Sequence, residues 1–226
     1  MVGYELHICR SVSHSHSLRY PISAAEVEAL VQRSPDLGFT DDRQAITVAG
    51  TDRVLHFWEN SLEAKHPPDH LIRRMVAIGE ELDAWVTGDE GEIYSWNGQE
   101  IETRDPDEDD EPGEGAAWIT RGCAAAGRND FAPIVEAEWL AFAAELDGFE
   151  VRSEIGARLP SGPRPIPCPP IAIWTGHPSG EPVPFWFDED LLEIDVLDEP
   201  TLRCMLLVAA GLDAEVQDRD DQQLTV

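Results

Sequence analysis

The stretch Arg73-Arg-Met-Val-Ala-Ile-Gly-Glu-Glu-Leu-Asp-Ala-Trp-Val86 reads twice in this chain, the second time as Arg203-Cys-Met-Leu-Leu-Val-Ala-Ala-Gly-Leu-Asp-Ala-Glu-Val216, at a constant spacing of 130 residues. In the first copy Leu71, Ile72, Met75, Val76, Ile78, Gly79 and Leu82 recur at three and four residue intervals, the pattern of a helix packed on a sheet. A short apolar segment follows in both copies, as expected for a strand returning beneath the helix. A repeat of this kind changes the reading of every other segment, because one structural unit is then encoded twice.

Working outward, the remaining matches keep their order. Ile8-Cys9-Arg10 parallels Ile119-Thr120-Arg121, and Pro21-Ile22 with Glu26 parallels Pro133-Ile134 with Glu138. Ile46-Thr47-Val48 is aligned with Ile171-Ala172-Ile173, and Phe57-Trp58 with Phe185-Trp186. Tyr4 to Ile8 alternates polar and apolar residues and predicts a strand. Ser23 and Glu26 form a capping-box pattern at the start of a helix over 24–31. Further strands are predicted at 45–48, 53–58, 84–87 and 92–96, with a helix over 69–82. The second copy repeats this with strands at 117–120, 149–152, 171–174, 184–187, 192–196 and 215–217 and helices over 136–146 and 200–212. Strands grouped with two helices, without strict alternation, indicate an α+β fold: two tandem related modules, each a mainly antiparallel sheet with two helices on one face.

Residues 1–99 and 115–226 are read as the two modules and residues 100–114 as a flexible linker. That linker holds nine acidic residues and one basic, too few apolar groups to offset its ordering entropy. The insertion over 159–170 in the second module carries so many prolines that a loop or an extended edge is expected.

The initial Gly-Tyr-Glu-Leu-His-Ile-x-Arg strand, the Pro21-Ile-Ser helix start, the Phe57-Trp58 pair and the closing Leu82-Asp-Ala-x-Val-x-Gly-Asp-Glu-Gly-Glu-Ile-Tyr94 resemble a group of small bacterial proteins. Ile171-Ala-Ile-Trp-Thr-Gly-His-Pro178 and Phe185-Trp-Phe fit the same pattern. The second copy departs at Gln217-Asp-Arg-Asp-Asp-Gln222, where the first has its Gly-Asp-Glu-Gly-Glu turn. The resemblance implies the α+β fold and a bacterial, cytoplasmic origin, and it implies no activity.

The 226 residues include 45 acidic and 16 basic side chains, for a formal charge of −29. Such a surface opposes phosphate recognition, which depends on clustered Lys and Arg, so neither nucleic acid nor anionic membrane is an expected partner. No apolar run is long enough to span a bilayer. Phosphate-cradling glycine motifs and a nucleophile elbow are absent, and Cys9, Cys123, Cys168 and Cys204 never form a C-x-x-C pair, so no cofactor and no metal is expected.

Two groups of residues are candidate binding surfaces. Trp174, His177, Trp186 and Asp188 follow a Gly/Pro-rich loop in the second module, where aromatics with polar tips favour recognition. Trp58 with Glu59, and Asp89, Glu90 and Glu92 in the turn Gly88 to Glu92, form the counterpart in the first. The expected function is that of a non-catalytic acidic interaction protein docking a basic protein, of which an immunity or antitoxin-type inhibitor is one case. The alternatives are a hydrolase or metal-dependent enzyme with a site between the modules, pairing His7 or His177 with Glu59 or Asp188, and a small-ligand regulatory module. The assembly expected is a monomer whose modules pair about a pseudo-two-fold axis, or a homodimer.

Overall fold

The computed structural model describes residues 4–13, 16–58, 60–106, 117–121, 133–218, 220 and 222–225. These residues carry four helices and two antiparallel sheets, an α+β architecture. The chain divides into two compact units. Unit 1 takes residues 1–112 together with 155–168, and unit 2 takes 113–154 and 169–226.

Unit 1 is built from β1 (Glu5–Cys9), α1 (Ala24–Arg33), β2 (Leu37–Phe39), β3 (Ala45–Val48), β4 (Val54–Trp58), β5 (Ser61–Lys65), α2 (Asp69–Leu82), β6 (Trp85–Gly88), β7 (Ile93–Trp96) and β8 (Ile101–Arg104). Its strand order is β2-β3-β4-β5-β1-β6-β7-β8. Leu6 and Ile8 of β1, Leu55 of β4 and Leu62 of β5 face Leu30 of α1 and Leu71, Met75 and Ile78 of α2 in one dry core. The helix α1 starts where the sequence places it: Ser23 Oγ accepts from the Glu26 N–H and the Glu26 carboxylate accepts from the Ser23 N–H. The helix α2 stops at Asp83, whose φ of 52° is left-handed and whose N–H caps the carbonyls of Gly79 and Glu80.

Unit 2 is built on β9 (Ala117–Thr120), α3 (Glu136–Glu145), β10 (Phe149–Leu159), β11 (Gly162–Trp174), β12 (Val183–Asp188), β13 (Leu191–Ile194), α4 (Glu199–Gly211) and β14 (Glu215–Asp218). Its strand order, β10-β11-β12-β13-β9-β14, matches β2-β3-β4-β5-β1-β6 strand for strand. Trp139 and Phe185 are fully buried at its centre, their ring centroids 5.8 Å apart.

The same arginine clip holds each unit. Arg10 bonds the Glu26 carboxylate, donates to the Pro21 carbonyl at 2.7 Å and to the Leu82 carbonyl at 3.1 Å. Arg121 bonds Glu138 and donates to the Pro133 carbonyl at 3.1 Å and the Leu212 carbonyl at 2.8 Å. One guanidinium thereby fastens the end of the first strand to the start of the first helix and the end of the second, which fixes the helix pair on its sheet. Asp213 repeats the left-handed turn of Asp83, at φ 53°.

Strand pairing corrects two of the sequence alignments. Leu62 faces Phe57 and Leu192 faces Phe187, so Phe57-Trp58 matches Phe187-Asp188, two residues beyond Phe185-Trp186. A two-residue slip leaves the inward and outward alternation intact, so hydropathy could not detect it. The Ala49 N–H donates to the Asp36 carbonyl and the Thr175 N–H to the Gly148 carbonyl, so Val48 matches Trp174 and Ile46 matches Ala172, one residue beyond the sequence alignment. Ile171, Ala172 and Ile173 are all buried, so there the pattern carries no face information.

The proline-rich insertion is a long hairpin of β10 and β11, with Ile155, Ala157 and Leu159 buried in alternation. The prolines of β11 stand at alternate positions from Pro163 to Pro169, with Pro170 directly after the last. Its tip, residues 155–168, belongs to unit 1, where Asp83 accepts from the Ser161 N–H at 3.0 Å and pairs with Arg164 at 2.9 Å. Ile101–Arg104, in the stretch expected as linker, forms β8 on β7. Residues 107–114 lie outside the described residues.

Candidate functional site

Unit 2 holds a pocket of about 490 Å³. The turn after α3 supplies Leu146, Asp147 and Phe149, β11 supplies Trp174, the following loop supplies Gly176 and Pro178, and α4 supplies Glu199, Pro200, Arg203, Cys204 and Leu207. Its size and apolar wall suit a large side chain or a small ligand. Leu207 is 58% exposed at its edge. Asp147 makes no ion pair among the described residues, whereas Glu199 is bonded by Arg203 one helical turn on. Burial pushes the Cys204 thiol up to about 12, so it is a neutral wall and not a nucleophile at neutral pH.

His177 lies beside the pocket with its side chain only 10% exposed, edge-on to Trp174 at 5.4 Å. Its Nδ1 accepts the Ser179 N–H at 3.2 Å and meets Ser179 Oγ at 2.6 Å, so Nε2 carries the proton and donates to Asp198 at 2.8 Å. Asp198 is the N-cap of α4 and accepts from the Thr201 N–H at 2.8 Å. That backbone hydrogen bond, reinforced by His177, holds the Asp198 carboxyl below the usual carboxylate range. The result is a Ser179, His177, Asp198 relay that braces the loop over 175–182 against the start of α4. The Ser179 hydroxyl also accepts from the Glu181 N–H at 3.1 Å, which ties the turn to itself.

The sequence-predicted residues are brought together only in part. Trp174 and His177 meet. Trp186 is buried on β12 and donates from Nε1 to Asp195 at 3.0 Å, and Asp188 is exposed at the end of that strand. The acid facing His177 is Asp198, not Asp188. Asp198 goes unnoticed in the sequence, since nothing there links it to His177.

In unit 1, Trp58 is 63% exposed at the end of β4, and Glu59 lies outside the described residues. The turn over 88–92 is closed on itself. Glu92 accepts from the Tyr94 hydroxyl at 2.9 Å and the Glu90 N–H at 3.2 Å, and its carboxylate folds over Gly88, where a Cβ would fall 2.2 Å from Oε1. Burial, with the Tyr4 hydroxyl and Glu92 beside it, raises Tyr94 well above a free phenol. Asp89 accepts the Glu5 N–H at 2.9 Å and lies 3.5 Å from His7, a residue of β1. The Asp89 and Glu92 carboxylates thus take part in hydrogen bonds of the fold, whereas Glu90 contributes its backbone N–H and keeps an exposed side chain. No group of three or more potential metal ligands occurs among the described residues, and no described helix is long and apolar enough to cross a membrane.

Searched against protein families, curated proteins and solved structures, the chain matches none.

Proposed function

We propose that this chain is a non-catalytic acidic interaction protein that docks a basic protein, in the manner of an immunity or antitoxin-type inhibitor. The observation that carries the reading is the fate of the cations. Arg33, Arg43, Lys65, Arg74, Arg152 and Arg203 each bind a carboxylate of the chain itself. Arg73 and Arg104 lie over the faces of Trp96 and Trp85. The chain holds 45 acidic and 16 basic groups, and the cations just named, among the described residues, are engaged within the chain rather than set against its acidic field. Such a field raises the encounter rate with a basic partner and rejects acidic ones. The test is capture of partners on immobilised protein at low salt, eluted by a salt gradient. One stoichiometric basic protein released at moderate salt supports the reading, and retention of no basic protein contradicts it.

A second reading, hydrolysis with Ser179 as nucleophile, rests on the Ser179, His177, Asp198 relay alone. It requires that a fluorophosphonate label Ser179 and that S179A lose the label. An unlabelled native protein removes it.

A further inference from the structure

The pocket of unit 2 occupies the position that unit 1 fills with an arginine of its own. The matched carbonyl contacts of Ser34 with Leu146 and of Asp36 with Gly148 fix the register at the turn, and the 130-residue spacing pairs Arg74 of α2 with Cys204 of α4. In unit 1, Arg74 reaches across this position to grip Asp36 through Nε at 2.7 Å and Nη2 at 3.1 Å, with Nη1 on Glu81 at 3.1 Å. In unit 2 the arginine is replaced by the short thiol of Cys204, and both of its carboxylates by Gly148 and Gly211. The Phe142 ring covers Gly211, and beside Cys204 a pocket of about 490 Å³ remains against Leu146, Asp147, Phe149 and Leu207. Its acidic group is displaced outward by one residue, to Asp147, where unit 1 has Pro35. Trp174 replaces Val48 in the wall.

Together these changes alter what the position accepts. An internal arginine needs carboxylates behind it. A cationic side chain arriving from solvent needs an apolar wall for its stem, an aromatic face for its head and a carboxylate at the mouth. The lining holds Leu146, Phe149 and Leu207 for the first, Trp174 for the second and the exposed Asp147 for the third, while the charge of its Arg203 is met by Glu199. Resting on the reading of the chain as an acidic docking protein, we infer that the unit 2 pocket receives an arginine side chain of the basic partner. The chain's own Arg74 marks the guanidinium-sized place in the repeat.

The experiment uses the full chain and follows the Trp174 indole N–H and the Gly148 and Gly176 amides by NMR. Probes are N-acetylarginine methylamide, its isosteric neutral citrulline analogue, and the phenylalanine derivative. Expected is a saturable shift of the Trp174 signal by the arginine compound, at least about thirtyfold weaker with citrulline, the lower bound for one exposed cation–π contact plus one charged hydrogen bond. The shift is expected to weaken several-fold in D147N, to persist in C204S and to vanish in C204R, whose long side chain takes up pocket volume and whose charge repels the ligand. No saturable shift at Trp174, or a tighter fit of the phenylalanine compound, overturns the inference.

The protein arm separates this from the broader reading. If a basic partner is captured equally by the native chain and by C204R, the pocket inference fails while the docking reading stands. If no basic protein is captured, the docking reading fails, and arginine binding at Trp174 would then belong to a free guanidinium compound and overturn the protein source.

Discussion

Replacing Arg10 by methionine keeps an apolar stem of similar length and removes the guanidinium, so it isolates what the clip contributes. Arg10 is 5% exposed, and its hydrogen bond to the Leu82 carbonyl is buried. Hydrogen bonds from charged donors contribute about 1.5–3 kcal/mol, and a carbonyl left buried without a donor costs about 1–3 kcal/mol. The Pro21 and Glu26 partners rehydrate, since the Glu26 side chain is 41% exposed, so only a fraction of their interaction is lost. The expected cost of R10M is about 3 kcal/mol. That of R121M is smaller, about 2 kcal/mol, because Arg121 is 16% exposed and meets more water. E26Q can keep the cap through its one amide oxygen but loses the charge and the second acceptor facing Arg10, so about 1 kcal/mol is expected. Urea unfolding followed by circular dichroism reads these values, with a coupling of about 1 kcal/mol between R10M and E26Q in a double-mutant cycle. If both arginine variants shift stability by less than about 0.5 kcal/mol, the clip is a surface decoration and the reasoning fails.

Three further outcomes follow from particular contacts. Alanine at Gly211 places a Cβ 2.1 Å from the Phe142 ring, so G211A loses about 1–2 kcal/mol by thermal or urea unfolding despite alanine's better helix propensity; a stabilised variant would show the ring free to move. Burial alone would raise Glu26, but the hydrogen bonds from Arg10 and Ser23 outweigh it and hold its carboxyl below the usual range. A depressed folded value gives stability that is full above the unfolded pKa of about 4.3 and lost as pH falls through the folded one. The stability gap between native protein and E26Q is therefore constant above about pH 5 and narrows only as pH falls below the unfolded value, and a gap that closes between pH 7 and 6 contradicts it. Burial raises the Cys9 thiol to about 11 and Cys204 to about 12, so native alkylation near pH 8 followed by peptide mapping leaves both unmodified until the chain is unfolded. Rapid native labelling of Cys204 contradicts the pocket wall described for unit 2.

What was legible in the sequence was the part governed by local chemistry. The helix α2 over Asp69–Leu82 carries its own start, stripe and stop, and α1 announces itself through Ser23 and Glu26. Strand β5, Ser61–Lys65, was illegible because Leu-Glu-Ala-Lys has helical propensity. Only pairing between β1 and β4 makes it a strand, with Leu62 and Ala64 inward. The proline-rich hairpin was read as loop or edge because the outcome depends on which backbone N–H groups the ladder needs, a property of register rather than composition. At the candidate site, Trp174 and His177 were found from residue type. Asp147, Asp198 and Cys204 were not, since they join the pocket through a turn and a helix distant in sequence. The match between Arg74 and Cys204 was present in the repeat itself, but its meaning required the geometry of Asp36.

The central claim, that the outward carboxylates serve to catch a basic partner, is tested most directly by the association rate of the captured protein in stopped flow across a salt series. Electrostatic steering predicts a fall of at least tenfold between about 20 mM and about 500 mM salt, with the dissociation rate changing far less. An association rate that is flat over that range would contradict the claim.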